Sequence, residues 1–111
     1  MAAKNASALP QAALELLILR AVEREALHGY GIAVRLHQTS DELLRVEEGS
    51  LYPALHRLEQ EGLLRSEWQP SGTNRRARFY SLTTRGRKRL VEQQANWERL
   101  TKGVARVLRF A

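Results

Sequence analysis

The residue pattern predicts a mainly α fold with a small β-hairpin: three short helices, a hairpin with a basic tip, and one long final helix. Three observations carry this. Apolar residues recur at helical spacing in residues 10–61, two strand-like runs flank the turn-rich Pro70-Ser71-Gly72-Thr73-Asn74, and an apolar repeat of seven runs through residues 84–110. At 111 residues the chain fits one domain, and a core of that size gains from the extra burial that a partner subunit supplies.

Residues 1–7 are small and polar, and residues 1–8 are expected to lack order. Pro10 suits the opening turn of a helix, where its missing N–H has no partner to lose. That helix is expected to reach about Ala26. Its middle, from Ala13 to Val22, is apolar on nearly every face, so it needs cover from several sides. Leu27-His28-Gly29-Tyr30-Gly31 is expected to stop it with a glycine, and Ile32, Val34 and Leu36 begin a second, short helix. A brief strand can occupy residues 43–46. The third helix is expected to start with Ser50 as N-cap and Pro53 in its first turn, and to close at Gly62. Leu51, Ala54, Leu55 and Leu58 form its inward stripe, leaving Tyr52, His56, Arg57, Glu59 and Gln60 to face elsewhere.

Strands over residues 63–69 and 77–82 enclose the turn, with Arg75 and Arg76 at the tip and Arg78 just below. The order of elements is that of a winged helix-turn-helix, and the hairpin is its wing. From about Thr84 to Phe110 the last helix places Leu90, Trp97 and Val104 seven apart, with Gln93, Leu100 and Val107 offset by three. Fewer than three heptads hold weakly alone. This helix is therefore expected to pack on the first helix as well as on its symmetry mate, with Leu14, Leu17, Leu90, Trp97, Leu100, Val104 and Val107 in the dimer interface. The expected division is residues 1–83 as DNA-binding domain and 84–111 as dimerisation helix.

Eighteen Lys and Arg against twelve Asp and Glu give a net charge of +6, the balance of a protein that meets a polyanion. Seven of those cations, and no acidic residue, fall within residues 73–91. The absence of cysteine excludes disulfides and thiolate chemistry and fits a reducing cytoplasm. His28, His37 and His56 stand singly without ligand-spaced companions, so neither a metal nor a cofactor is expected. No phosphate loop, nucleophile elbow or paired carboxylates point to an enzyme. The apolar segment of residues 12–22 is too short to cross a bilayer, and residues 1–7 lack a signal-peptide pattern, so no membrane association is expected.

Three segments, Leu27-His28-Gly29-Tyr30-Gly31-Ile32, residues 47–59 beginning Glu47-Glu48-Gly49-Ser50-Leu51-Tyr52-Pro53, and Leu82-Thr83-Thr84-Arg85-Gly86, resemble the PadR family of regulators. The resemblance spans residues 9–90; beyond Leu90 it is one of length and pattern. It implies a dimeric repressor of the smaller type, with a single C-terminal dimerisation helix and, in many members, a small-molecule effector. It also implies DNA contacts by Ser50, Leu51, Tyr52, Pro53, His56 and Arg57, with Tyr30 nearby and Arg75, Arg76 and Arg78 from the wing. Two-fold symmetry then calls for an inverted-repeat operator in double-stranded DNA.

Several of these residues have a plainer reading. Tyr52 can be an aromatic packed beside Leu55, but its place at a helix N-terminus favours DNA. Arg57 can pair with Glu61 one turn on. The run Arg85, Arg87, Lys88 and Arg89 can be a solvated first turn, although cations there oppose the helix dipole. Trp68 and Trp97 are most simply large apolar contributors, while in some related dimers an aromatic placed like Trp97 lines a cavity for a flat aromatic effector. The competing function is a winged-helix module that binds a protein and not DNA. RNA is less favoured, because an A-form major groove is too narrow for the third helix.

Overall fold

The computed structural model describes residues 7–110, in the order β1 (Ser7–Ala8), α1 (Gln11–Ala21), β2 (Leu27–His28), α2 (Gly29–Thr39), β3 (Leu44–Arg45), α3 (Glu48–Gln60), β4 (Leu64–Pro70), β5 (Arg76–Leu82) and α4 (Thr84–Phe110). Strands β2, β5 and β4 form an antiparallel sheet in that order, and β1 pairs with β3 in parallel. This is a winged helix-turn-helix with a long final helix.

The core lies where α1 packs on α3 and on the root of α4, with α2 and the sheet closing its sides. Leu14, Ile18, Ile32, Leu51, Leu55, Leu58, Leu63 and Leu64 are each at most 2% exposed. Each such side chain contributes about 1.5–3 kcal/mol by leaving water, which makes this cluster the main source of stability. No polar or charged residue is buried among the described residues, so the core is held by packing alone.

Several boundaries differ from those the sequence suggests, for identifiable reasons. Helix α1 ends at Ala21, five residues earlier than expected, because the backbone of Leu27 and His28 is taken up by pairing with Tyr80 and Phe79 of the wing. Gly29 consequently opens α2 and does not close α1. His28 caps it, its Nδ1 accepting the Gly31 N–H at 2.9 Å. Helix α3 starts at Glu48 with Glu47 at the N-cap position, and the Glu47 carbonyl accepts the N–H groups of Ser50 and Leu51. Ser50 is thus not the cap. Pro53 sits six residues in, and the Gly49 carbonyl it deprives of a donor lies at an exposed position where water can serve it. Residues 1–6 of the segment expected to lack order are outside the described residues, whereas Ser7 and Ala8 pair with Leu44 and Arg45.

The wing and the last helix match expectation closely. Gly72 and Asn74 take positive φ in the hairpin turn, at 82° and 57°. Helix α4 runs 27 residues, about 40 Å. Its root is locked by Gly86 and Leu90, and Trp97, Leu100, Val104 and Val107 beyond it are exposed. Two residues expected between subunits belong to the protomer's own core: Leu14 and Leu90 are each 2% exposed. Leu17 is half-buried against that core.

Candidate nucleic-acid interface

Helix α3 divides cleanly. Leu51, Ala54, Leu55 and Leu58 point into the core, while Tyr52, Pro53, His56 and Gln60 recur at helical spacing on the solvent side, with Ser50 exposed at the start. Leu51 corrects the list of expected contacts. At 1% exposure it anchors the helix and cannot reach a ligand.

Tyr52 leads the exposed face. Its ring lies across the start of α2, and a Cβ on Gly29 would come within 2.9 Å of Cε1 and 3.0 Å of the hydroxyl, so only glycine admits the ring in this position. Tyr30 stands beside it, 71% exposed. The His28 imidazole packs edge-on against Phe79 of the wing and stacks with Tyr30 at 6.5 Å, tying the α2 start to the hairpin.

These residues and the wing enclose a groove of about 640 Å³, lined by Tyr30, Tyr52, Trp68, Arg75, Arg76 and Arg78 together with His28 and Tyr80. Arg75 and Arg76 are exposed and form no salt bridge among the described residues. They are fixed positive charges on a turn whose Ser71 N–H bonds the Arg75 carbonyl at 2.9 Å. Ser50, Pro53 and His56 are exposed on α3 outside the groove. Burial pushes the Tyr80 hydroxyl above the ordinary tyrosine value, with Arg78 opposing, so the floor of the groove is neutral near pH 7.

Two arginines from the expected contact set are already engaged. Arg57 donates through Nε and Nη2 to one oxygen of Glu15, at 2.9 and 2.6 Å, which joins α3 to α1. Its partner is therefore Glu15 and not Glu61, which faces Arg89 at 3.7 Å. Arg78 meets Glu59 of α3 at 3.3 Å and donates to the Ser66 hydroxyl at 2.7 Å. In the run at the start of α4, Arg87 lies 3.8 Å from Glu23.

Sequence reasoning missed Trp68 as a member of this surface. It is 55% exposed and faces Arg78 across the β4–β5 ladder. Strand alternation from the partly buried Ser66 would have placed it. The partners of Arg57 and Arg78, 42 and 19 residues away, left no local signal. Trp97, the expected effector-contacting residue, is 40% exposed on α4. Among the described residues no group of acidic or imidazole side chains can hold a metal ion, and no helix is long and apolar enough to cross a membrane.

Residues 18–92 match the model of the transcriptional regulator PadR-like family. Transcriptional regulator Rv3488 of Mycobacterium tuberculosis is 38% identical over 94 residues, covering 85% of this chain and 84% of that protein. Among solved structures, smu.1704 of Streptococcus mutans superposes with a TM-score of 0.78 at 29% identity, covering 93% of this chain and 92% of the other. A PadR family transcriptional regulator of Eggerthella lenta gives 0.73 at 35% identity, over 86% and 81%. With the matched segment running from α1 through the wing to the root of α4, this chain belongs to the PadR-like family of transcriptional regulators.

Proposed function

We propose that the chain is a cytoplasmic repressor that binds an inverted-repeat operator as a homodimer, each protomer setting α3 in a major groove while its wing grips adjacent backbone. The observation that carries this reading is the groove in which the unpaired Arg75 and Arg76 of the wing face Tyr52 of α3 and Tyr30 of α2. Unpaired guanidinium groups on a protruding turn suit phosphate or the minor groove, and exposed side chains early in the second helix of this motif suit base edges. On this reading Tyr30, Ser50, Tyr52, Pro53 and His56 meet DNA through α2 and α3, and residues 1–83 form the DNA-binding part.

Residues 84–111 supply the two-fold contact. Trp97, Leu100, Val104 and Val107 keep a heptad stripe that a lone helix leaves in water, 40%, 57%, 49% and 66% exposed, and a second copy of the helix supports its burial. The half-sites then lie about one helical turn apart. A flat aromatic effector entering beside Trp97 would change the angle between the paired helices and release the operator.

Fluorescence anisotropy with duplex DNA selected from genomic fragments tests the reading. Log affinity should fall with log salt by about 0.9 per phosphate neutralised, and Arg75→Ala and Arg76→Ala should each flatten that slope by about one phosphate. Absent or salt-independent binding would instead favour a winged-helix module for a protein partner.

A further inference from the structure

Resting on the reading of this face as a DNA interface, we propose that Trp68 contacts DNA directly, and that Arg78 is its positioning residue and not a phosphate ligand. The β4–β5 ladder pairs Ser66 with Tyr80 and Trp68 with Arg78. Alternation along each strand therefore puts all four on one face, the face that looks across the groove to α3.

On that face the Arg78 guanidinium is held by two groups that are themselves hydrogen-bonded to each other. Its Nε donates to Ser66 Oγ at 2.7 Å, its Nη2 lies 3.3 Å from Glu59 Oε2, and the Ser66 hydroxyl donates to the same Glu59 oxygen at 2.7 Å. The cation so fixed sits 5.9 Å from the centre of the indole, within range of a cation–π attraction that holds the ring in place. Glu59 cancels the charge of Arg78, so this trio has no net charge to neutralise a phosphate. It instead presents a rigid indole, 55% exposed, beside Arg75 and Arg76. An apolar ring in the same groove as two phosphate-seeking cations suits the sugar edges and bases that line the minor groove where a wing lies. Because Glu59 belongs to α3, the clamp also fixes the wing relative to the helix in the major groove.

The chain has only two tryptophans, which makes the test direct. In Trp97→Phe protein, Trp68 emission should change on titration with duplex DNA and saturate with the anisotropy signal. Unchanged emission at saturating DNA overturns the contact. If Trp97→Phe fails to fold by circular dichroism, the DNA-dependent emission change of the wild type must vanish in Trp68→Phe. Trp68→Ala should weaken binding about tenfold, and Trp68→Phe should recover much of it, as expected for an apolar aromatic contact. Arg78→Ala should weaken binding several-fold while leaving the salt slope within about 0.3 of the wild type, in contrast to the drop of about 0.9 for Arg75→Ala. A drop of that size for Arg78→Ala makes it a phosphate ligand and overturns its positioning role. Should wild-type protein bind no duplex in anisotropy, the underlying DNA reading falls, and this assignment with it.

Discussion

A single hydrogen at position 29 decides where Tyr52 sits. The Cβ that alanine would add collides with the far end of a flexible side chain, which can swing away at little cost. Gly29→Ala is therefore expected to alter the melting temperature by only a degree or two while weakening DNA binding. Gly86 presents the opposite case, because a Cβ there would lie 2.0 Å from the Leu63 carbonyl oxygen and 2.8 Å from Leu82 Cδ1. The carbonyl is backbone and cannot give way without unseating α4 from the segment that enters β4. Gly86→Ala should destabilise the fold by roughly 2–4 kcal/mol, read by denaturant unfolding. In the sequence both residues are visible only as parts of motifs, and local pattern makes Gly29 look like a helix stop. What fixes them is a neighbour 23 residues away in each case, Tyr52 and Leu63, which local pattern does not reveal. Tyr52 shows the same ambiguity resolved by geometry: its ring lies against Gly29, and it stays 49% exposed.

Among the elements, those with strong period were legible and those defined by pairing were not. The inward stripe of α3 and the two wing strands follow from spacing and turn chemistry. Strand β2 has two residues, too few for any periodicity, and it exists because β5 offers hydrogen bonds that the end of α1 would otherwise have kept within a helix. The N-cap of α3 lies three residues before Ser50, at Glu47, whose backbone carbonyl receives the first N–H groups with no side-chain cap. Orientation of α3 against α1 also depends on the half-buried Glu15–Arg57 pair, whose two hydrogen bonds share one oxygen. A double-mutant cycle with Glu15→Gln and Arg57→Gln should return a coupling of about 1 kcal/mol in unfolding experiments. A coupling near zero would make Arg57 available to DNA after all.

For the molecule as a whole, the long helix separates two kinds of apolar residue that a heptad alone treats alike. Leu90 completes the protomer's core, whereas Trp97, Leu100, Val104 and Val107 lie beyond it in solvent. Leu14 belongs to the core and not to the seam for a related reason: α1 is apolar all round, so its pattern gives no direction, and only the surrounding helices and strands assign its faces. Val104→Asp puts a charge in the middle of the proposed two-fold seam and far from the core. It should leave the melting transition of the winged part intact, convert the protein to monomers in sedimentation, and weaken operator binding at least a hundredfold, since linked sites lose their mutual effective concentration.

The small parallel pairing of β1 with β3 reaches further than its size suggests. Residues 40–47 connect α2 to the helix that carries Tyr52, and among the described residues the backbone of Leu44 and Arg45 is tethered to Ser7 and Ala8. Ser7 and Ala8 thus work as a guy-line on the loop that leads into that helix. Replacing Ala8 by proline, which has no N–H to give to the pairing, would slacken it, and on the proposed reading would retune how firmly DNA is held while leaving every residue of the groove untouched.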